Sequence, residues 1–259
     1  MIDRISIEPS RFCTKGCRFC YNGSSAELGG DWTASEIMDF VRDCAKNGVE
    51  AVSFGGGEPL EWPPIYEVLD ALRGTLFRSL TTNGLHLDLD RLMKAVPDKV
   101  HVSIHTGSET DRVIEQVRML PNSGVNLLVR RSRLEDARES AKKLHGAGIG
   151  NDRIVYLPMR GSDTPTAGEI ADIAGPRFQS MTCLSECRKS PRFVSIGADK
   201  TVAWCSYTRS RRVLERPTFI SMLRALRNLD LEPCANGLMK LNKNAATRVV
   251  RSAKVCGGS

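Results

Sequence analysis

Six short runs rich in β-branched and apolar residues recur through the first 160 positions of this 259-residue chain, at 4–7, 51–54, 78–82, 100–104, 125–129 and 153–157. Runs this short and this apolar suit strands buried on both faces. Between them lie stretches of helical period. The first is the best marked: Thr33 and Glu36 stand as N-cap and N3 of a capping box, and Ile37, Phe40, Val41 and Cys44 follow on one face. Asn47-Gly48 supplies the stop. Similar patterns cover 64–72, 89–95, 109–119 and 134–145. Strands joined by helices imply right-handed βαβ units and a parallel sheet. Periodicity leaves undecided whether that sheet curls into a barrel or stays open.

After residue 157 the pattern loosens. Residues 193–196 and 201–205, separated by Gly197-Ala198-Asp199-Lys200, read as a β-hairpin. Residues 217–229 read as one helix, with Phe219, Met222, Leu223 and Leu226 on a face. The last twenty residues carry five basic side chains and no acid, and form either a helix or a loose tail.

Charge and cysteine divide the chain near residue 180. Residues 1–180 hold 22 Lys and Arg against 25 Asp and Glu, whereas 181–259 hold 15 against 5. The nine cysteines split four early and five late. The N-terminus lacks the apolar segment of a secretory signal, and no apolar run approaches the ~20 residues of a membrane span, with a mean hydropathy of −0.24. A cytoplasmic protein with no membrane partner is expected. Nine cysteines there point to metal or redox chemistry rather than to disulfides.

The decisive segment is Cys13-Thr14-Lys15-Gly16-Cys17-Arg18-Phe19-Cys20-Tyr21. It places three thiols at C-x3-C-x2-C in the loop after the first strand, close enough for one loop to wrap a compact cluster. Three thiolates without a near fourth would leave one metal position open for chemistry, the logic that separates catalytic from structural metal sites. Cys44, on the apolar face of the first helix, reads as a buried small hydrophobe. The second strand ends in Gly55-Gly56-Gly57-Glu58-Pro59.

Cys13, Cys17, Cys20 and Tyr21, with the Gly56-Gly57-Glu58 run, resemble the signature of the radical S-adenosylmethionine (radical SAM) superfamily, over roughly residues 1–160. The resemblance implies an α/β fold, a (β/α)6 partial TIM barrel. It implies that Cys13, Cys17 and Cys20 hold a [4Fe–4S] cluster whose fourth iron is chelated by AdoMet. One-electron cleavage of the sulfonium then gives a 5′-deoxyadenosyl radical that takes a hydrogen atom from a substrate. Gly56, Gly57 and Glu58 would contact the methionine end of AdoMet, and the backbone at Tyr21 its adenine. Ser103, ending the fourth strand, would contact ribose or carboxylate, and Arg130, or its neighbour Arg131, would pair with the carboxylate. Asn83 closes the third strand at the same mouth. His105 reads as a hydrogen-bonded loop residue.

Cys183, Cys187, Cys205 and Cys234 surround the hairpin and the last helix, with Cys256 beyond. This arrangement resembles the auxiliary-cluster regions called SPASM and twitch, and implies one further [4Fe–4S] cluster in a small cysteine-rich α+β extension. Lys200 and Trp204 stand where that pattern carries glycine and proline. A four-thiolate zinc site is the alternative. The division expected is therefore 1–180 for the radical SAM core and 181–259 for the auxiliary region.

The basic late segment suits an anionic partner: an acidic peptide, a phosphorylated small molecule, or a flavodoxin or ferredoxin as electron donor. Family relatives with such regions modify peptides or natural-product precursors, and a nucleotide precursor stays open beside them. Because the first strand begins almost at once, an N-terminal leader-peptide-binding domain is not expected. The competing function is a non-catalytic, zinc- or cluster-stabilised protein using its basic segment on nucleic acid.

Overall fold

The computed structural model describes residues 1–181, 184 and 187–232, and the backbone of 250–251. It divides into two compact units, residues 1–101 with 189–234, and residues 102–188 with the C-terminal segment. The first unit opens with β1 (Arg4–Ile7), α1 (Ala34–Lys46), β2 (Ala51–Phe54), α2 (Ile65–Ala71), β3 (Phe77–Thr82) and α3 (Leu89–Ala95). The chain runs through β4 (Lys99–Ile104) into the second unit, which continues with α4 (Thr110–Met119), β5 (Ser123–Val129), α5 (Leu134–Gly146), β6 (Ile154–Pro158), α6 (Ala167–Ala174) and β7 (Gln179–Ser180). It re-enters the first with β8 (Phe193–Ile196), β9 (Thr201–Ala203), β10 (Arg212–Val213) and α7 (Phe219–Leu226), and β11 (Val250–Arg251) belongs to the second.

The fold is mostly parallel α/β, and β1 to β6, each followed by a helix, give the (β/α)6 succession of a partial barrel. In the first unit the strand order is β10-β9-β8-β1-β2-β3, parallel from β8 to β3 and antiparallel through β8, β9 and β10. The register sets Leu80, Phe54, Ile7 and Ile196 side by side, each with no exposed surface. Each such buried side chain contributes about 1.5–3 kcal/mol by leaving water. This apolar row lies where β1 and β2 end, so the loops that follow them emerge as neighbours. In the second unit β5, β6, β7 and β11 run parallel in that order.

The α1 capping box forms as read: Thr33 Oγ1 accepts from the Glu36 amide, and Ile37, Phe40, Val41 and Cys44 are buried. The hairpin of β8 and β9 packs onto this helix start. Its turn carbonyl at Gly197 accepts from the Trp32 indole at 2.9 Å, and Trp32 stacks on Phe40. Lys200 adopts φ +55, a left-handed geometry that favours glycine, and its ammonium meets Glu36 Oε1 at 2.6 Å.

Two helices depart from sequence expectation. α7 is shorter than 217–229, because Thr218 caps its start and Asn228 turns left-handed (φ +56) just after its end. α6 was not anticipated, although Thr166 and Glu169 form a capping box. Its eight residues include Gly168, which weakens a helical signal already short. The basic tail expected as a helix or loose segment lies outside the described residues, apart from β11. Among the described residues no helix is long and apolar enough to cross a membrane.

Candidate functional site

The loop after β1 carries Cys13, Cys17 and Cys20, all half-buried. It folds back on itself through Cys13 N–H to Ser25 O (3.0 Å) and Arg11 N–H to Gly29 O (2.8 Å), while Cys20 N–H closes a turn onto Cys17 O (3.0 Å). Gly16, between the first two cysteines, takes φ +60.

The loop after β2 zips onto this one. Gly55 N–H donates to Ile7 O at 3.0 Å, Gly57 N–H to Ser10 O at 2.9 Å and Glu58 N–H to Phe12 O at 2.9 Å. The ladder of β1 and β2 thus continues up to the residue before Cys13. Glycine is required here for a steric reason. A Cβ on Gly57 would stand 2.2 Å from Phe12 O, and one on Gly56, which has φ +102, would stand 2.8 Å from Ser10 O. The glycines admit the backbone of the cysteine loop itself.

Glu58 turns its carboxylate inward and is 2% exposed. Oε1 accepts from Thr82 Oγ1 at 2.7 Å and from Leu60 N–H at 3.1 Å, and Oε2 accepts from Asn83 N–H at 2.7 Å. Burial raises its pKa against these hydrogen bonds, which favour the ionised form. A carboxylate offers about four lone-pair sites, so these three bonds leave one on Oε2. Asn83 also reaches the cysteine loop, with Nδ2 3.9 Å from Cys13 Sγ. Burial, together with Glu61, Glu58 and Cys20 nearby, raises the Cys13 thiol above its ordinary value against a backbone hydrogen bond from Lys15.

Three further residues that sequence reasoning did not single out shape the loop. Glu61 accepts from both the amide and the hydroxyl of Thr14, and His86 Nε2 lies 3.2 Å from the same hydroxyl. Buried Glu8, at the end of β1, accepts from the Tyr21 hydroxyl at 2.9 Å, and burial raises the pKa of both groups. The Tyr21 ring packs at 4.8 Å on Tyr207, whose amide faces Cys205 Sγ at 3.4 Å. Part of the late cysteine region therefore meets the early loop. Position at a strand end was the available signal for Glu8 and for Thr82; Glu61 and His86 carried none.

Ser103 and Arg130 belong to the second unit. Ser103 is buried on β4. Arg130, just after β5, donates from Nε to Asp163 Oδ2 at 2.7 Å. Burial works against ionisation of Asp163, but hydrogen bonds from Ser132 and Arg130 hold its pKa below the usual carboxylate value. Arg130 and His105 line a pocket with Arg133 and Asp136, and the His105 amide donates to Glu109 at 2.7 Å. Cys187 is exposed in this unit; Cys183, Cys234 and Cys256 lie outside the described residues. Among the described residues no three His, Cys, Asp or Glu side chains converge as a single-ion site.

A family model of the radical SAM superfamily matches residues 7–164. A probable GTP 3′,8-cyclase of Methanocella arvoryzae is 33% identical over 105 residues, which is 40% of this chain and 34% of that protein. One of Methanococcus maripaludis is 33% identical over 161 residues, 60% of this chain and 49% of that protein. The chain thus matches half or less of the length of these relatives. Among solved structures, Streptococcus suis SuiB bound to S-adenosylmethionine aligns with a TM-score of 0.65 at 18% identity, covering 80% of this chain and 60% of that one. The structure of anSMEcpe with AdoMet and the Cp18Cys peptide aligns at 0.63 with 13% identity, covering 86% and 79%. At such identities the likeness shows the fold.

The family match spans the β1 loop, the Gly-Gly-Glu turn and the strand–helix succession together, and it replaces the non-catalytic binding module with an enzyme. The chain belongs to the radical SAM superfamily, whose enzymes work with a [4Fe–4S] cluster and AdoMet.

Proposed function

We propose that Cys13, Cys17 and Cys20 hold the catalytic [4Fe–4S] cluster, and that the enzyme modifies a peptide or a natural-product or nucleotide precursor by hydrogen-atom abstraction. The carrying observation is the interlock of the cysteine loop with the Gly-Gly-Glu turn, closed by Gly57 N–H to Ser10 O and Glu58 N–H to Phe12 O. It sets the loop that carries three soft thiols, through Cys13, beside a buried carboxylate.

The residues fit the cofactors. In a cluster each thiolate binds a different iron, and one loop that carries three half-buried thiols can supply three such ligands. Ligation by Cys13 displaces the proton that its raised pKa holds at neutral pH. The open lone pair on Glu58 Oε2 suits an ammonium donor. Bound, the cluster and AdoMet supply one-electron cleavage of the sulfonium and a 5′-deoxyadenosyl radical. The chain's own part is to orient and to exclude water. Gly56, Gly57 and Glu58 receive the methionine end, and the Tyr21 backbone, steadied by the bond of its side chain to Glu8, receives the adenine. Ser103 and Arg130 contact ribose and carboxylate, with Asp163 fixing the Arg130 guanidinium.

The reading extends to the late segment. Residues 1–180 form the radical SAM core, and 181–259 a SPASM- or twitch-like region in which Cys183, Cys187, Cys205 and Cys234 bind an auxiliary [4Fe–4S] cluster. The meeting of Tyr207 with Tyr21 supports a late region that covers the first loop. A flavodoxin or ferredoxin in the cytoplasm supplies electrons, and the basic late segment favours an anionic substrate.

The test is anaerobic reconstitution followed by AdoMet and dithionite. The wild type should form 5′-deoxyadenosine, and Cys17→Ala should form none; equal yields overturn the reading. Iron near eight per chain supports the auxiliary cluster, and near four removes it. Stimulation of the yield by GTP or by candidate peptides chooses the substrate class.

A further inference from the structure

The contact between Asn83 and Cys13 has a fixed polarity. Asn83 follows β3, is 7% exposed, and is anchored at two points. Its amide N–H donates to Glu58 Oε2 at 2.7 Å, and its side-chain Oδ1 accepts from Leu85 N–H at 2.8 Å. The second bond decides the orientation of the carboxamide. A flipped Asn83 would set an NH2 group against the Leu85 N–H, donor against donor. The end that faces Cys13 Sγ at 3.9 Å is therefore the donor Nδ2.

A thiolate that receives an N–H loses electron density to it, and hydrogen bonds to the sulfurs are among the devices that set an iron–sulfur potential. From this geometry we infer that Asn83 is a tuning residue for the cluster: its Nδ2–H donates to the Cys13 thiolate and raises the reduction potential. This inference rests on the assignment of Cys13 as a ligand. It gives a second task to Glu58, which holds the Asn83 backbone in place by accepting its amide. The same carboxylate that is free to meet an ammonium on one lone pair fixes the donor of a cluster ligand through another. Thr82 completes the arrangement, since its hydroxyl donates to Glu58 and accepts from Gly84 N–H at 3.0 Å.

The measurement is the midpoint potential of the reconstituted cluster, by redox titration followed by electron paramagnetic resonance without AdoMet, alongside iron content and circular dichroism. Asn83→Ala removes the donor. Asn83→Asp removes it while keeping an oxygen for Leu85 N–H. Both should retain the wild-type iron content, and the reduced-to-oxidised ratio at a fixed applied potential should fall by about 5- to 10-fold, the scale of one ordinary net hydrogen bond. A wild-type midpoint in Asn83→Asp overturns the inference, because the added negative charge cannot mask a lost donor. Loss of the cluster from both variants with the fold intact also overturns it, since Asn83 then builds the loop instead of tuning it. Cys13→Ala separates the two levels: if it keeps the full iron content, the ligand assignment itself fails.

Discussion

Glu61 holds Thr14 at two points, taking its amide N–H on Oε2 at 2.9 Å and its hydroxyl on Oε1 at 2.5 Å. Thr14 stands directly after Cys13, so one carboxylate from the far side of the Gly-Gly-Glu turn pins the segment that spaces the first two thiols. Glu61→Ala should release iron to a chelator about 3- to 10-fold faster than the wild type, the scale of an ordinary net hydrogen bond, because both bonds to Thr14 are exposed to water. Glu61→Gln keeps an acceptor oxygen and should fall between. Wild-type release from Glu61→Ala would show that the loop holds its form without this clamp.

Gly57 tests the interlock sterically. The added methyl of Gly57→Ala would lie 2.2 Å from Phe12 O, and that neighbour is backbone. The two loops must part. A cost of about 1–3 kcal/mol is expected from the overpacking, read as a lower unfolding midpoint together with reduced iron incorporation. Gly29→Ala, at a glycine with nothing within 4 Å of its Cβ position, is the control and should match the wild type.

His101, on β4, has its pKa lowered to about 4 by burial, with the Lys99 charge adding to the effect. An unfolded histidine titrates near 6.5. Above that pH neither state is protonated and His101 exerts no pH effect. Between about 6.5 and 4 the unfolded chain takes up a proton that the folded chain refuses, so stability falls with pH by about 3 kcal/mol and levels off below. His101→Gln should flatten this part of the stability–pH curve, measured by denaturant unfolding at several pH values. An unchanged curve would assign the acid loss to other groups.

Arg78 is a buried clamp at the other end of its strand. Its side chain is 2% exposed and donates to Asp98 Oδ2 at 2.9 Å and to the Leu69 and Val96 carbonyls. Arg78→Met keeps the bulk but strands these acceptors and leaves Asp98 without its countercharge. Because Asp98 stays in contact with water, a loss of about 1–3 kcal/mol is expected, chiefly from the stranded buried acceptors, in denaturant unfolding of the cluster-free chain under reducing conditions. A loss under 1 kcal/mol would show that water replaces the guanidinium.

The elements that could be read from the sequence are those whose own residues carry a period or a cap. α1 shows both, in Thr33 with Glu36 and in Ile37, Phe40, Val41 and Cys44, and it forms at Ala34–Lys46. β1 and β2 run at 4–7 and 51–54 as their apolar runs imply. The spacing of Cys13, Cys17 and Cys20 was equally local. What stayed hidden depends on chain segments far apart. Glu61 and Thr14 are 47 residues distant, Tyr21 and Tyr207 much further, and no period or motif links either pair. Gly56 and Gly57 were visible as residues, but not that the backbone they admit is that of Ser10 and Phe12. β10 and β11, two residues each, exist through pairing alone.

The partner of β1 on one edge is β8, with Arg4 opposite Phe193 and Ile7 opposite Ile196. The strand that leads into the cysteine loop thus waits through almost 190 further residues of synthesis for its second neighbour. At about 5–20 residues per second, β1 keeps one open edge for roughly ten to forty seconds of synthesis. An open edge is a template for stray pairing, and a thiol loop beside it stands unfinished for the same interval. That edge is covered only when β8 pairs with β1, and Tyr207 reaches Tyr21 later still.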